Sequence, residues 1–369
     1  MPGGIGRVLV VTIINIIVVL IIVAILMSSI FVTQATIYLK GVAQEQFQAQ
    51  ARVLEQRLSA AGYSQEEIEK YLKELNQTIY EKLGLTKPLH ERILQYTIWI
   101  LTFNFTAFPA RVNYPGGGDN AATVVLNALK ATIILFTTAT IIELAIAIWL
   151  GLQASKRAGS LLDRLISGIA LVSASLPMWW VGLLMLLVFA YNLGWFPFAA
   201  KNVYIALSQL QQQNLPPVQM FFEQIKTWLY YMALPLITIV LVTFGGGAYV
   251  IRNIVLSTMR EDFVTVARAK GLPERKVLYK HVLRAASPPI ATMTALSLVG
   301  SLGGAIITET VFQWPGMGLT YWIAINNGDT GVLMVNTWVT TFLFIVVIFM
   351  LDFIYMLLDP RVRVGGRRG

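Results

Sequence analysis

Six apolar runs, most of them long enough to cross a lipid bilayer, constrain this 369-residue chain more than any other feature. A helix needs roughly 20 apolar residues to traverse the hydrocarbon layer. The first run, residues 8–32, carries almost nothing polar except Asn15. It is too long for the apolar core of a signal peptide and has no clean cleavage site after it, so it reads as a retained span. Five more are expected at 122–152, 161–191, 229–251, 288–312 and 332–357. Hydrophobic residues make up 56% of the chain and charged residues only 13%, against about a quarter charged in soluble domains. No water-soluble core could absorb that much apolar surface. The expected fold class is therefore an all-α polytopic membrane protein with six transmembrane helices in contact with membrane lipid.

Several function classes drop out early. Cysteine is absent and the only histidines are His90 and His281, which removes disulfide frameworks, thiol catalysis and Cys-based metal centres. No metal site and no catalytic group is expected. No GxxxxGK[ST] segment is present to cradle nucleotide phosphates, so no cofactor is expected in this chain and ATP hydrolysis is not its task. The net charge of +9 would suggest nucleic acid in a soluble protein. Here it reads as basic residues gathered in cytoplasmic loops, with no nucleic-acid partner.

Those basic residues orient the chain. Lys156, Arg157 and Arg164 flank the turn between the second and third spans, and Arg361, Arg363, Arg367 and Arg368 end the sequence. Eight more, from Arg252 to Arg284, crowd the segment between the fourth and fifth spans. The 192–228 loop has only Lys201 and Lys226, and the 313–331 loop has neither Lys nor Arg. The positive-inside rule then places both termini in the cytoplasm. Trp99, Trp195, Trp228, Tyr230, Tyr231, Trp314, Tyr321 and Trp322 fall near outer span ends. They read as an interfacial aromatic belt, with stacking platforms at a substrate entrance as the sharper alternative.

Between the first two spans the pattern becomes amphipathic. Ser64 and Glu67 form a capping box. Ile68, Leu72, Leu75, Ile79 and Leu83 then recur at helical spacing, and Gly84 suits the stop. A second amphipathic segment covers 88–103, and the 114–119 run Tyr-Pro-Gly-Gly-Gly-Asp is a turn-rich loop. The insert is expected to be a small helical domain lying on the outer membrane surface.

The loop between the fourth and fifth spans reads as helix, turn, helix. Glu261 and Asp262 sit in the first turn of a helix over 260–270, where they complement its dipole. Gly271 stands where a left-handed residue closes that helix. Pro273 fits the first position of a second helix, which is expected to end before Pro288-Pro289. Small side chains at Ala267 and Ala269 would let another surface approach. The bland alternative is that the Lys and Arg residues here only anchor topology.

Here the sequence resembles a family: the inner-membrane permease subunits of ABC importers of the dipeptide/oligopeptide, binding-protein-dependent type. The resemblance rests on Arg260-Glu261-Asp262-Phe263, on Ala267-Arg268-Ala269-Lys270-Gly271-Leu272, and on Glu274-Arg275 with Val277. The family's general Glu-Ala-Ala register would fall on Thr265, Val266 and Ala267, so only its second Ala is kept. Further fragments are Ser175-Leu176-Pro177 with Trp179, Leu193-Gly194-Trp195-Phe196-Pro197, Glu309-Thr310-Val311-Phe312 with Trp314-Pro315-Gly316, and Leu358-Asp359-Pro360-Arg361. The resemblance implies a permease subunit of an ATP-driven importer forming half of a pathway for oligopeptides or oligosaccharides. It implies a second related permease, two ATPase subunits that hold ATP and Mg, and an extracytoplasmic solute-binding protein, in the plasma membrane of a prokaryote.

The organisation then expected is a first transmembrane helix (1–33), an extracytoplasmic helical domain (34–121), a permease core of five spans (122–358) and a cytoplasmic tail (359–369). Within the core lie a cytoplasmic coupling loop (257–287) and an outer loop (192–228). Coupling to ATPases is expected at Glu261, Asp262, Ala267, Arg268, Ala269, Lys270, Gly271 and Leu272. Glu143, Pro177, Trp179 and Glu309 are candidates for the pathway or its gate. An intramembrane acid such as Glu143 is a functional candidate by default, with a packing role as the alternative. Pro177 and Pro235 could bend helices around a pathway or simply kink them. The Gly245-Gly246-Gly247 run invites close helix approach. Two rival classes are an ion-coupled secondary transporter and a transmembrane receptor with an outer sensor domain. A membrane enzyme is disfavoured because the few acids are scattered.

Overall fold

The computed structural model describes residues 3–156, 158–301 and 305–358. Side chains are described outside 3–9, 174, 299 and 350–358. Arg157, the 359–369 tail with its arginines, and the Asp359-Pro360-Arg361 motif lie outside the described residues. The fold is helical. In chain order the helices are α1 (Gly3–Ala60), α2 (Gln65–Lys82), α3 (Leu89–Leu101), α4 (Ala121–Thr132), α5 (Thr138–Lys156), α6 (Leu161–Ser175), α7 (Met178–Met185) and α8 (Val203–Gln211). They continue as α9 (Pro217–Thr258), α10 (Asp262–Ala269), α11 (Glu274–Lys276), α12 (Leu283–Gly300), α13 (Ile306–Phe312), α14 (Met317–Asn326) and α15 (Thr330–Leu358). Single π-helical segments join α4 to α5 (Ile133–Thr137), extend α7 (Leu186–Asn192) and join α11 to α12 (Val277–Val282).

Among the described residues four helices are long and apolar enough to cross a membrane: Val10–Ala60, Ala121–Lys156, Pro217–Thr258 and Thr330–Phe349. The pair Leu161–Ser173 and Met178–Asn192 adds a fifth if its 94° bend is counted as one broken span. Pro177 explains the break, because it cannot donate the hydrogen bond that would carry α6 into α7. It sits at the N-terminal boundary of α7 rather than inside a continuous helix. The expected run at 288–312 is likewise not one helix, since α12 ends at Gly300 and α13 begins at Ile306.

Two compact units emerge. One comprises Met1–Val112, Gly118–Thr123 and Ile323–Val339. In it α1 is a single helix of 58 residues, about 87 Å long at 1.5 Å per residue. It outruns the bilayer by more than half its length, so the first span passes without interruption into the amphipathic region. α2 and α3 pack against α1. Arg92 of α3 is buried and donates from Nη1 to Thr36 Oγ1 of α1 at 2.9 Å. Asp329, fully buried, accepts from the backbone N–H of Arg111 at 2.8 Å and from Val332 N–H at 3.3 Å at the start of α15. The capping box is present: the Ser64 N–H and hydroxyl donate to Glu67 Oε2 at 2.9 and 2.8 Å, and Glu67 N–H donates to Ser64 Oγ. Gly84 closes α2 in the left-handed region (φ +68°), with the Gly84 N–H donating to Glu81 and the Leu85 N–H to Tyr80.

The other unit comprises Asn113–Gly117, Val124–Trp322 and Thr340–Gly369. Its centre is the packing of α5 on α9, with α6 on α9 beside it. One buried cluster joins Ala147 and Ala154 of α5, Ala248, Ile251 and Val255 of α9, and residues of the loop after α9. A second gathers Leu135, Ala139, Met232, Ile239 and Trp314. Trp314, expected in the aromatic belt, is instead fully buried and donates from Nε1 to the Ala131 carbonyl at 3.0 Å. An indole with a partner for its N–H is well suited to a core. Trp195 and Trp322 are exposed, as a belt requires.

The Ser64 backbone N–H, then its hydroxyl, holds the exposed Glu67 carboxyl below its usual range. A carboxylate with a depressed folded value stabilises only while ionised. The cap's contribution should therefore be complete above about pH 4.3, the ordinary glutamate value, and fade as the pH falls through the lower folded value. The protection factors of the Ser64 amide and the first turn of α2, taken against the intrinsic rate at each pH, should fall over that window. Protection that stays flat through the same titration in wild type would contradict the cap.

Candidate functional site: the loop after α9

The loop 257–287 begins where α9 ends at Thr258. After three intervening residues α10 starts, with Asp262 in its first turn and Glu261 at its N-terminal boundary. Alternation along α10 gives it two apolar faces. Val264 and Ala267 are buried against Val255, Val277, Leu278 and Val282. Phe263 and Val266, one residue earlier at the same spacing, are 42% and 52% exposed. Ala267 thus packs against its own chain, and Ala269 stays on the exposed side. The apolar pair available to another surface is Phe263 and Val266. They could have been found from the sequence, because two three-residue spacings on one short helix leave a second stripe without a home.

The turn is closed in two ways. Gly271 adopts φ +71° and its N–H donates to the Arg268 carbonyl at 2.9 Å. Nothing lies within 4 Å of where a Cβ would stand, so the demand for glycine there is conformational rather than steric. Arg268 then reaches across the turn to Glu274, with Nε to Oε1 at 2.7 Å and Nη2 to Oε2 at 3.4 Å. Both side chains are substantially exposed, so the pair contributes under about 1 kcal/mol. Its effect is to fix the angle between α10 and α11. Leu272 is half-buried and packs against the loop core, while Lys270 projects outward.

Pro273 stands at the N-terminal boundary of α11 rather than at its first position. The expected stop before Pro288-Pro289 does not occur, and both prolines lie inside α12. Pro288 cannot donate to the Arg284 carbonyl, and the Ser287 hydroxyl donates to that carbonyl instead at 2.8 Å. The helix therefore continues through both prolines from the loop into the next apolar segment.

Behind the loop, α9 meets α5 and α6 through glycines. A Cβ at Gly151 would lie 2.7 Å from the Ala248 carbonyl oxygen, and one at Gly245 would lie 2.7 Å from Ile169 Cγ2. A Cβ at Gly247 would collide with the Glu143 carboxylate and stand 3.0 Å from Ala147 Cβ. Glu143 is buried on α5 in that notch. Nearly two turns before α9 ends, Arg252 forks onto Asp163 of α6, with Nη2 to Oδ2 at 2.8 Å and Nε to Oδ1. The Gly159 N–H donates to Asp163 Oδ2 at 2.7 Å. Asp163 escaped notice because a single acid in the first turn of a helix looks like an ordinary dipole partner.

Glu309 lies apart from the loop. It is fully buried on α13 and serves the start of α14: Gly318 and Leu319 N–H donate to Oε2 at 2.7 and 3.1 Å, and Thr132 Oγ1 donates to Oε1 at 2.9 Å. Thr132 Oγ1 also accepts from Met317 N–H at 2.8 Å. A Cβ at Gly316 would overlap Glu309 and Thr132, so only glycine fits beside this carboxylate. Pro177 and Trp179 are exposed at the α6–α7 break. Glu143, Glu309 and that break are not brought together into one cluster. Among the described residues no group of acids and histidines has metal-site geometry.

A family model for the inner membrane component of binding-protein-dependent transport systems matches residues 143–364, which include α9, the loop and α12. The chain belongs to this family. As an inner membrane component it is a multi-pass transport subunit rather than an enzyme. It is 28% identical to the oligopeptide transport system permease protein of Bacillus subtilis, across 76% of this chain and 83% of that protein. It is 30% identical to a dipeptide transport system permease protein of Alkalihalophilus pseudofirmus, across 77% and 84% respectively. The dipeptide transport system permease protein of Escherichia coli is 26% identical across 76% and 83%. Nothing in these matches supports the receptor or the ion-coupled reading.

Two outcomes test the geometry. Gly247→Val should destabilise the protein in detergent, and Glu143→Ala should restore much of the loss by emptying the notch. Equal losses in the single and double variants would show that the two positions do not meet. Glu309→Ala leaves buried N–H donors without partners and should cost on the order of 3 kcal/mol. A denaturant midpoint equal to wild type would refute the cap.

Proposed function

We propose that this chain is one of two related permease subunits of an ATP-driven, binding-protein-dependent importer of peptides in a prokaryotic plasma membrane. Six crossings are counted, with the bent α6–α7 pair and the interrupted α12–α13 segment each taken as one. Both termini and the 257–287 loop lie in the cytoplasm, in line with the distribution of Lys and Arg. The helical region of 34–121 and the 192–228 loop lie outside, where a solute-binding protein delivers its cargo. The Bacillus, Alkalihalophilus and Escherichia relatives are each named for dipeptide or oligopeptide transport, and peptide is therefore favoured over oligosaccharide.

One observation carries the coupling assignment: α10 exposes Phe263 and Val266 while its other stripe is locked into the core. An ATPase subunit, which holds the ATP and Mg, docks on that exposed stripe with Glu261, Asp262, Ala269 and Lys270 around it. Ala267, Arg268, Gly271 and Leu272 shape the knuckle from within. Movement of the ATPases passes through the loop core to α9, α5 and α12. Coupling requires the docked contact to differ in free energy between two states of the spans. Glu143, in the α5–α9 notch, and the Pro177–Trp179 break, are where such a change would alter the pathway. Glu309 acts by holding α14 in place.

Phe263→Ser with Val266→Ser should reduce ATPase subunits co-purified with the chain by about tenfold or more, as expected for a buried apolar anchor. Gly271→Val, which forces a β-branched residue into the left-handed region, should leave the complex assembled and lower substrate-stimulated ATPase activity. Undiminished co-purification in the first variant together with normal stimulation in the second would overturn the coupling assignment.

A further inference from the structure

Two adjoining clefts open beside the loop, of about 620 Å³ and 600 Å³. Each falls within the roughly 300–1,000 Å³ of small-ligand sites. They share Arg275 and Tyr279; Lys156, Lys276, Lys280 and the Arg268–Glu274 pair line the rest, with Met259, Pro273 and Leu278 as apolar floor. The one acid is already neutralised by Arg268. Arg275, Lys276, Lys280 and Lys156 (whose Nζ donates to Gln153 Oε1 at 2.8 Å) therefore have no acidic partner in the cleft lining. Lys156 is the last residue of α5, an apolar helix long enough to cross the bilayer, and its Nζ lies 5.4 Å from the Tyr279 ring centre. That contact ties the cleft to the level at which α5 leaves the hydrocarbon. The exposed tyrosine, apolar in body and polar at its tip, suits the headgroup layer.

We propose that this cleft binds the phosphate of an anionic phospholipid headgroup, with Lys156, Arg275, Lys276 and Lys280 as its cationic lining. Basic pockets at the cytoplasmic ends of membrane helices recognise such headgroups by charge. The lipid would brace α11 against the end of α5. The inference goes beyond the import reading and requires only that α5 exits the bilayer at Lys156.

The full chain would be purified in mild detergent and offered equimolar phosphatidylglycerol and phosphatidylcholine, with bound lipid counted by native mass spectrometry. Wild type should retain phosphatidylglycerol preferentially. In the variant combining Lys276→Gln and Lys280→Gln that preference should fall about tenfold, while Lys201→Gln with Lys226→Gln, in the outer loop, should leave it unchanged. Equal retention of both lipids by wild type, or a preference that survives loss of Lys276 and Lys280, would overturn the proposal. So would full displacement of the lipid by millimolar inorganic phosphate, which would mark a free-anion site. Co-purification of ATPase subunits is scored on the same samples. Loss of the ATPase with lipid preference intact would assign these lysines to the protein partner and also refute the lipid site.

Discussion

The approach of α5 to α9 governs where the later helices of the core can lie. Gly151, Gly245 and Gly247 each stand where a single methyl group would strike a neighbouring helix. Membrane helices gain little from the hydrophobic effect when they associate in lipid, so they hold together by close packing of small residues. Ala147, Gly151 and Ala154 supply the matching surface on α5. Because α9 is one helix from Pro217 to Thr258, the seam that sets its position within the bundle also sets where the loop after it begins.

The loop is an extension of that seam. Val255 at the end of α9, Val264 and Ala267 on α10, and Val277, Leu278 and Val282 beyond the turn form one buried cluster with Ala154 of α5. The Arg252–Asp163 fork adds a charged tie from α9 to α6 one turn earlier. Past the turn, Ser287 supplies the hydrogen bond that Pro288 cannot, and α12 carries the path back into apolar sequence. Under the proposed coupling, movement of α10 would reach α9, α5 and α12 through this shared cluster.

Much of this was legible in the sequence. Apolar length identified α1, α5, α9 and α15, and local chemistry identified the Ser64–Glu67 box and the left-handed Gly84 and Gly271. These features depend on neighbours within a few residues. What escaped was set by partners far away in the chain. Trp314 looked interfacial because aromatic residues at span ends usually are, but the Ala131 carbonyl gives its indole a buried partner. Glu309 is marked by its motif for a structural or gating role, without the partners that define it. Its companions, Thr132 and the N–H groups of α14, turn it into a helix cap. The continuation of α12 through Pro288 depends on a hydroxyl next door that no propensity rule weighs. Pro177 proved the reverse case, a proline expected inside a helix that ended one.

The exposed Phe263 and Val266 stripe has a cost outside the finished assembly. With the loop in the cytoplasm as proposed, a newly made chain with no companion would present two large apolar side chains to water, on a helix whose other stripe is already buried. Quality-control proteases and chaperones read such surfaces as damage. Under the proposed docking role, the same two residues that would seat a partner would leave the solitary subunit open to such surveillance.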